Sequence, residues 1–200
     1  MDQWAVSILL SKTEAKLRKS IVAHVLPSEI TQSGSKMKKS ILSKRDTSTI
    51  KDIIRKKWPP AAQNLENEKN FASYELDNGQ RIVSTKAFTA VQTDAETIVP
   101  FLGTVQILSA FPSVVVDMGA IKFVCNGARI MRPGIVKFDT FKKGDLVTVK
   151  DVKFSKILAV GRALEDSIIS IQNEKGYVID NLHYIGDPFW EYYKEIGPEI

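Results

Sequence analysis

Beyond Phe111 and Pro112 the chain breaks into short apolar runs, "SVVV", "ARIMRPGIV", "GDLVTVKDV", "KILAVGRAL" and "GYVIDNLHYI", divided by glycine, lysine and aspartate turns. No run of this length buries a core by itself. Strands recurring at intervals of roughly ten residues between turn signals must therefore share one core, as in a small barrel. Val114 to Val116 reads as a buried strand and residues 128–136 as another. Residues 119–126 read as a brief helix with Ile121, Phe123 and Val124 facing inward, followed by Gly127 where a helix C-terminal glycine is expected. "EDSIISIQ" gives a second short helix. The second half of the chain is thus expected to be mainly β, a barrel with two short helices.

The first half has a different rhythm. Ser11 and Glu14 stand at capping-box spacing before Leu17, Ile21, Val22 and Val25, which predicts an amphipathic helix over 11–26 ended by Pro27, with His24 packing on it or capping it. "KMKKSILSKRDTSTIKDIIRKKWPP" reads as two short helices, or a helix and a turn, around Asp46, closed by Trp58. Its isoleucines would face a sheet while the lysines project to solvent. "FASYELDNGQRIVSTKAFTAV" alternates around Asn78 and Gly79, predicting a hairpin with a type I′ turn. "AETIVPFLGTVQIL" reads as a helix begun or interrupted near Pro100. These elements imply an α+β unit over residues 1–108 and a second domain over 109–200.

Charge is the next constraint. Residues 36–57 carry nine Lys or Arg against two Asp, and residues 118–162 carry ten against three, so each block is +7 in a chain of +5. The tail from residue 163 is −6. Two basic blocks on an acidic body are what a phosphate-binding surface needs. There is no apolar run of about 18 residues, and the start "MDQWAVSILLSK" lacks the pattern of a secretory signal. A cytoplasmic protein is expected. One cysteine, Cys125, and two histidines, His24 and His183, give no recognised metal-ligand spacing, so no metal and no cofactor are expected. Cys125 reads as a small core residue, and Asp117 as a capping carboxylate.

The stretch "VDMGAIKFVCNGARIMRPGI" sets Gly119, Gly127 and Gly134 beside Lys122, Arg129 and Arg132, with no acid after Asp117. "DMGAIKFV", "GARIMRPG", "AVGRAL" and "NLHYIGDPFW", in that order, resemble a PUA domain, the RNA-binding module named for pseudouridine synthases and archaeosine transglycosylases. The resemblance covers residues 112–192. It is narrower still to the malignant T-cell-amplified-sequence protein and ligatin family, whose members place a pre-PUA domain before the PUA domain and open on a helix with an "L.K" start, as at Leu10 and Lys12 here. The implied architecture is an α+β N-terminal domain followed by a mainly-β PUA pseudobarrel.

The resemblance also implies a surface: the first PUA helix, its glycine loop and the next strand lie against RNA. On this sequence that surface comprises Gly119, Lys122, Asn126, Gly127, Ala128, Arg129 and Arg132, extended by Lys137, Lys142 and Lys143. Gly119 and Gly127 would let a phosphate backbone approach, or serve tight turns, as Gly134 would. Arg129 and Arg132, three apart in a strand, should face opposite ways. Lys36, Lys38, Lys39, Lys44, Arg45, Arg55, Lys56 and Lys57 form a second candidate basic patch. His183, Tyr184, Phe189 and Trp190 would stack on bases or pack within a closing strand.

No Ser-His-Asp order, GxSxG elbow, P-loop or dinucleotide fingerprint occurs, so a non-enzyme is expected. Three readings stay open. By the resemblance, the protein binds tRNA or the small ribosomal subunit in initiation, reinitiation or recycling, with a separate initiation-factor-like partner supplying the domain for which there is no room after residue 190. Alternatively it presents RNA to a modification enzyme, or it is a protein-interaction adaptor whose basic block at 36–57 meets an acidic partner.

Overall fold

The computed structural model describes residues 38–63, 68–76 and 78–196. The expected helix over 11–26, with Ser11, Glu14 and His24, lies outside them, as do Lys36, Met37 and Asp77.

The first sheet is an antiparallel meander in chain order: β1 (Lys38–Ile41), β2 (Ala72–Glu75), β3 (Arg81–Ser84), β4 (Thr89–Asp94) and β5 (Thr97–Pro100). Between β1 and β2 runs α1 (Lys44–Lys57), a single helix where two short ones or a helix and turn were expected. Asp46 does not break it. Its backbone N–H donates to Ser43 Oγ at 3.1 Å, which makes Ser43 the N-cap. Residues 38–41 are a strand because pairing with β2, from Lys38 opposite Glu75 to Ile41 opposite Ala72, overrides local helix preference.

Ile50 and Ile54, one helical turn apart, are fully buried in the core that α1 shares with the sheet. Trp58 ends the helix, donates from Nε1 to Ile98 O at 2.9 Å and meets Phe88 and Phe111 edge-on. Thr97–Pro100 is a buried strand rather than a helix, Val99 opposite Val91, as its β-branched residues favour. The helix follows it, as α2 (Val105–Leu108). The β2–β3 hairpin forms where expected, but not with a type I′ turn. Leu76 and Gln80 close a wider loop, Gly79 takes positive φ (+79°) while Asn78 does not, and Asn78 Oδ1 accepts the Gln80 N–H at 3.0 Å.

The second sheet has six strands: β6 (Ser113–Val116), β7 (Ile130–Met131), β8 (Ile135–Phe138), β9 (Leu146–Asp151), β10 (Ile157–Ala163) and β11 (Tyr177–Tyr184). Their order is β7-β11-β10-β9-β6-β8, with β6 and β9 parallel. β7 and β8 are consecutive in the chain yet stand at opposite margins, joined by one 3-10 turn, Arg132–Gly134. Three residues reach about 10 Å, whereas six flat strands span about 24 Å. The sheet therefore curls until its margins meet, which makes it a nearly closed barrel. The strand expected over 128–136 is broken at this turn, where Pro133 cannot donate to a ladder.

Three helices accompany the barrel: α3 (Ile121–Val124), α4 (Ser167–Gln172) and α5 (Pro188–Ile196). Phe189 and Trp190 lie on α5, not in a closing strand. Val114, Val116, Ile135, Val147, Val149 and Ile179 fill the barrel. Leu146, Val160 and Phe189 instead join the core of the first sheet, so the two sheets share apolar packing and belong to one compact unit. Among the described residues no helix is long and apolar enough to cross a membrane.

Candidate nucleic-acid interface

From β6 the chain turns through Asp117, Met118 and Gly119 into α3. Asp117 Oδ1 accepts the Ala120 N–H at 2.8 Å while the Asp117 N–H donates to Gly134 O at 3.0 Å. The carboxylate holds a turn, as its sequence position implied. α3 ends at left-handed Gly127 (φ +79°), whose N–H donates to Val124 O while Ala128 N–H donates to Phe123 O, both at 3.0 Å. These are the two bonds of a Schellman ending. A Cβ on Gly127 would lie 2.8 Å from the Tyr184 ring, so the fold alone requires this glycine. From β11, Asn181 Nδ2 donates to Val124 O at 2.9 Å and Ala128 O at 3.2 Å, pinning the helix to the barrel.

A single helical turn has one face to bury. Val124 and the half-buried Ile121 take it, and Phe123, expected inward, is 65% exposed. Lys122 stands beside Phe123 in solvent, with no hydrogen bond or ion pair to any described residue. Gly119, Asn126 and Ala128 are exposed on the same small segment.

The two arginines differ from their expected arrangement. Arg129 precedes β7 and Arg132 lies in the 3-10 turn, so strand alternation does not relate them. Arg129 Nε meets Asp180 Oδ1 at 3.0 Å, and Arg162 meets the other oxygen at 3.5 Å. Arg129 also lies over the Tyr177 ring. Arg132 donates to Ile135 O at 3.1 Å and Ile171 O at 3.3 Å, and its guanidinium lies over Phe138. It ties the turn to β8 and α4, with Nε buried and unpartnered.

Lys137 on β8 and Lys142 and Lys143 in the β8–β9 loop are exposed. The Lys143 backbone N–H donates to Asp166 Oδ1 at 2.7 Å, which sets this pair beside the start of α4.

The second basic block is not one patch. Lys38 and Lys39 lie on β1, with Lys39 Nζ over the Tyr74 ring, and Lys44 and Arg45 open α1. Arg55, Lys56 and Lys57 close α1, where the carbonyl end of a helix attracts cations. The two ends of α1 are about 20 Å apart. Arg55 pairs with Asp52, and Lys57 Nζ donates to Glu96 O at 3.0 Å.

His183 is fully buried and does not stack on a ligand. Its Nε2 accepts the Leu102 N–H at 3.2 Å, which leaves Nδ1 to donate to Asp187 Oδ2 at 2.6 Å. Phe189 is buried too, and Trp190 stacks on Phe101. Tyr184 is partly exposed; burial, then the Asp187 charge, pushes its hydroxyl pKa up. Burial likewise pushes the half-buried Cys125 thiol up, away from nucleophilic chemistry. Among the described residues no cluster of three His, Cys, Asp or Glu could hold a metal ion.

One turn escaped sequence reasoning. Asp151, 4% exposed, accepts the N–H groups of Lys153, Phe154 and Lys156 at 2.9, 2.6 and 2.8 Å, fixing a loop that raises Phe154 into solvent. The interleaved "KDVKFSK" was its only signal, and it reads equally well as strand continuation.

The PUA domain family model matches residues 112–185. An uncharacterized protein of Methanocaldococcus jannaschii is 35% identical over 159 residues, which is 78% of this chain and 96% of that protein. Translation machinery-associated protein 20 of Saccharomyces cerevisiae is 34% identical over 90 residues, 42% of this chain and 50% of its own. Malignant T-cell-amplified sequence 2 of Mus musculus is 35% identical over 100 residues, 46% and 55% of the two chains. The match thus spans about half the length of these two relatives. Among solved structures, a PUA-domain protein of Aeropyrum pernix superposes with a TM-score of 0.66 at 22% identity over 82% of this chain and 94% of that one, a likeness of fold.

Proposed function

Because the chain belongs to the family of PUA-domain proteins that includes the Methanocaldococcus jannaschii protein, and is homologous to the malignant T-cell-amplified-sequence and translation machinery-associated proteins, we propose that it is a non-catalytic RNA-binding protein of the translation machinery. Its ligand is tRNA or the small ribosomal subunit, and it acts in the cytoplasm, with a separate initiation-factor-like protein as partner. Residues 109–200 act as the reader and residues 1–108 as the pre-PUA domain.

The observation that carries this reading is the α3 segment. Two turns built on Asp117 and Gly127 hold a one-turn helix rigidly on the barrel, with Lys122 and exposed backbone facing water and no acidic side chain among residues 118–128. A rigid, basic, close-approach backbone is suited to contact phosphates, which position a nucleic acid without reading its sequence. In this reading the ten candidate residues take different roles. Lys122, Gly119, Asn126 and Ala128 form the contact itself, and Lys137, Lys142 and Lys143 add long-range attraction. Arg129 contributes a half-neutralised charge, whereas Arg132 and Gly127 hold the surface in place.

Purified protein titrated against total tRNA and against small ribosomal subunits over a salt series tests the reading. The logarithm of affinity should fall against the logarithm of salt by roughly 0.7–0.9 per phosphate contact. Lys122→Ala should lower the slope by about one contact, and Arg132→Ala should act mainly on stability. Binding no stronger than that of an unrelated basic protein would overturn the RNA reading. Preference for free tRNA together with co-purification of a modification enzyme would instead favour an accessory role in RNA modification.

A further inference from the structure

We propose that the turn at residues 151–156 is a second RNA contact, in which the Phe154 ring stacks on an unpaired base while Lys153 and Lys156 face the neighbouring phosphates. This rests on the RNA reading above and adds a mode of recognition to it, single-stranded rather than helical.

Four observations converge on this turn. Its position is the first. The Val152 N–H donates to Val116 O at 3.0 Å, one residue before Asp117 begins the turn into α3. The turn therefore adjoins the end of β6, from which the chain leads into the α3 segment.

Its exposure is the second. Phe154 is 52% exposed and Val152 48%, and Met118, two residues beyond Val116, is 55% exposed, so apolar side chains face out here. The lysines beside them are exposed as well, with Lys153 Nζ 5.1 Å from the centre of the Phe154 ring. An aromatic face with cations at its edge offers a base its π surface and the adjoining phosphate its counter-charge.

The third is rigidity. Three backbone N–H groups converge on the buried Asp151 carboxylate, and the Asp151 N–H closes the loop on Lys156 O at 3.0 Å. Ser155 is the one described non-glycine residue with positive φ (53°). Holding a serine there is unfavourable, and the Asp151 bonds enforce it. The result is an aromatic residue presented on a fixed support, so little ordering entropy is lost when it stacks.

The fourth is charge. Asp151 is the one acid between residues 146 and 164, and it is buried with its oxygens occupied, while Lys153 and Lys156 within the turn are exposed. An acidic, base-bearing ligand fits this surface better than an apolar protein face.

The test compares wild type, Phe154→Ala, Phe154→Trp and Lys153→Ala/Lys156→Ala. The probes are a fluorescent mixed-sequence single-stranded RNA dodecamer and a duplex of the same length, at one salt concentration, with thermal melting to verify the fold. Phe154→Ala should weaken single-strand binding roughly tenfold or more and leave the duplex nearly unchanged. Phe154→Trp should retain binding, and the double lysine variant should weaken both probes. If Phe154→Ala binds the single strand like wild type while Lys122→Ala does not, the turn is no contact, although the RNA reading stands. Equal loss on both probes for Phe154→Ala overturns stacking. If wild type binds neither probe nor tRNA, both readings fail together, and the turn would then be examined as a protein-docking surface.

Discussion

At Gly161 a side chain is impossible: a Cβ would meet Ile179 Cγ2 at 2.3 Å and Asp180 O at 2.5 Å, because β10 and β11 shift register there. At Gly127 the obstacles are positive φ and the Tyr184 ring, and at Gly144 φ is +91° with open space around it. The expected order of destabilisation by alanine is thus Gly161, then Gly127, then Gly144, at about 3, 2 and 1 kcal/mol in urea unfolding. Equal values at Gly127 and Gly144 would show that Tyr184 simply moves aside. The Cys125 thiol and the Tyr184 hydroxyl both have raised pKa values in the folded protein. Their contributions are complete below the unfolded values near 8.5 and 10 and are lost as pH climbs through the folded ones. Urea midpoints should therefore fall from about pH 8 upward, and Cys125→Ser should flatten the first part of that fall. Single residues were unevenly legible in the sequence. Asp117 could be recognised as a cap because its partner is three residues away, whereas Arg132 could not be recognised as a brace, since Ile171 reaches it only through the fold.

Elements show the same division between local and distant causes. The strands of the barrel were readable because their β-branched runs are separated by turn residues. Lys38–Ile41 and Thr97–Pro100 were not, because each is a strand through pairing with β2 or β4, which no local pattern discloses. α5 was missed for another reason. Its start depends on Asp187, whose Oδ1 accepts the Trp190 N–H at 2.8 Å while Oδ2 accepts from Tyr184 N–H and His183 Nδ1. One buried carboxylate thus caps the helix, ends β11 and fixes the histidine tautomer that receives the Leu102 N–H. Asp187→Ala should cost about 2–4 kcal/mol, more than an N-cap alone, because it leaves buried donors unpaired. A loss below about 1 kcal/mol in urea unfolding would mean that water replaces it.

For the molecule as a whole, the sequence suggested two domains divided at residue 108. What it could not convey is the shared packing. Leu146, Val160 and Phe189 sit with Trp58 and Phe101 in one core, and His183 bonds across to Leu102. The described unit should therefore unfold in a single cooperative transition, with tryptophan fluorescence and circular dichroism coincident. Phe189→Ala should lower that one transition by about 3–5 kcal/mol. Two separated transitions would show that the sheets fold independently.

Closing the barrel has a consequence for how copies of the protein behave when crowded. The turn at Arg132–Gly134 brings both margins of the six-stranded sheet together, so that sheet presents little backbone for a neighbour to extend. Among the described residues the five-stranded sheet has no such closure, and β1 stands at one margin with all four side chains exposed, two of them lysines. Cations along a sheet margin repel the same margin of another copy. Lys38 and Lys39 thus have a protective value beyond any attraction for phosphate: they discourage fibre-like association along this margin.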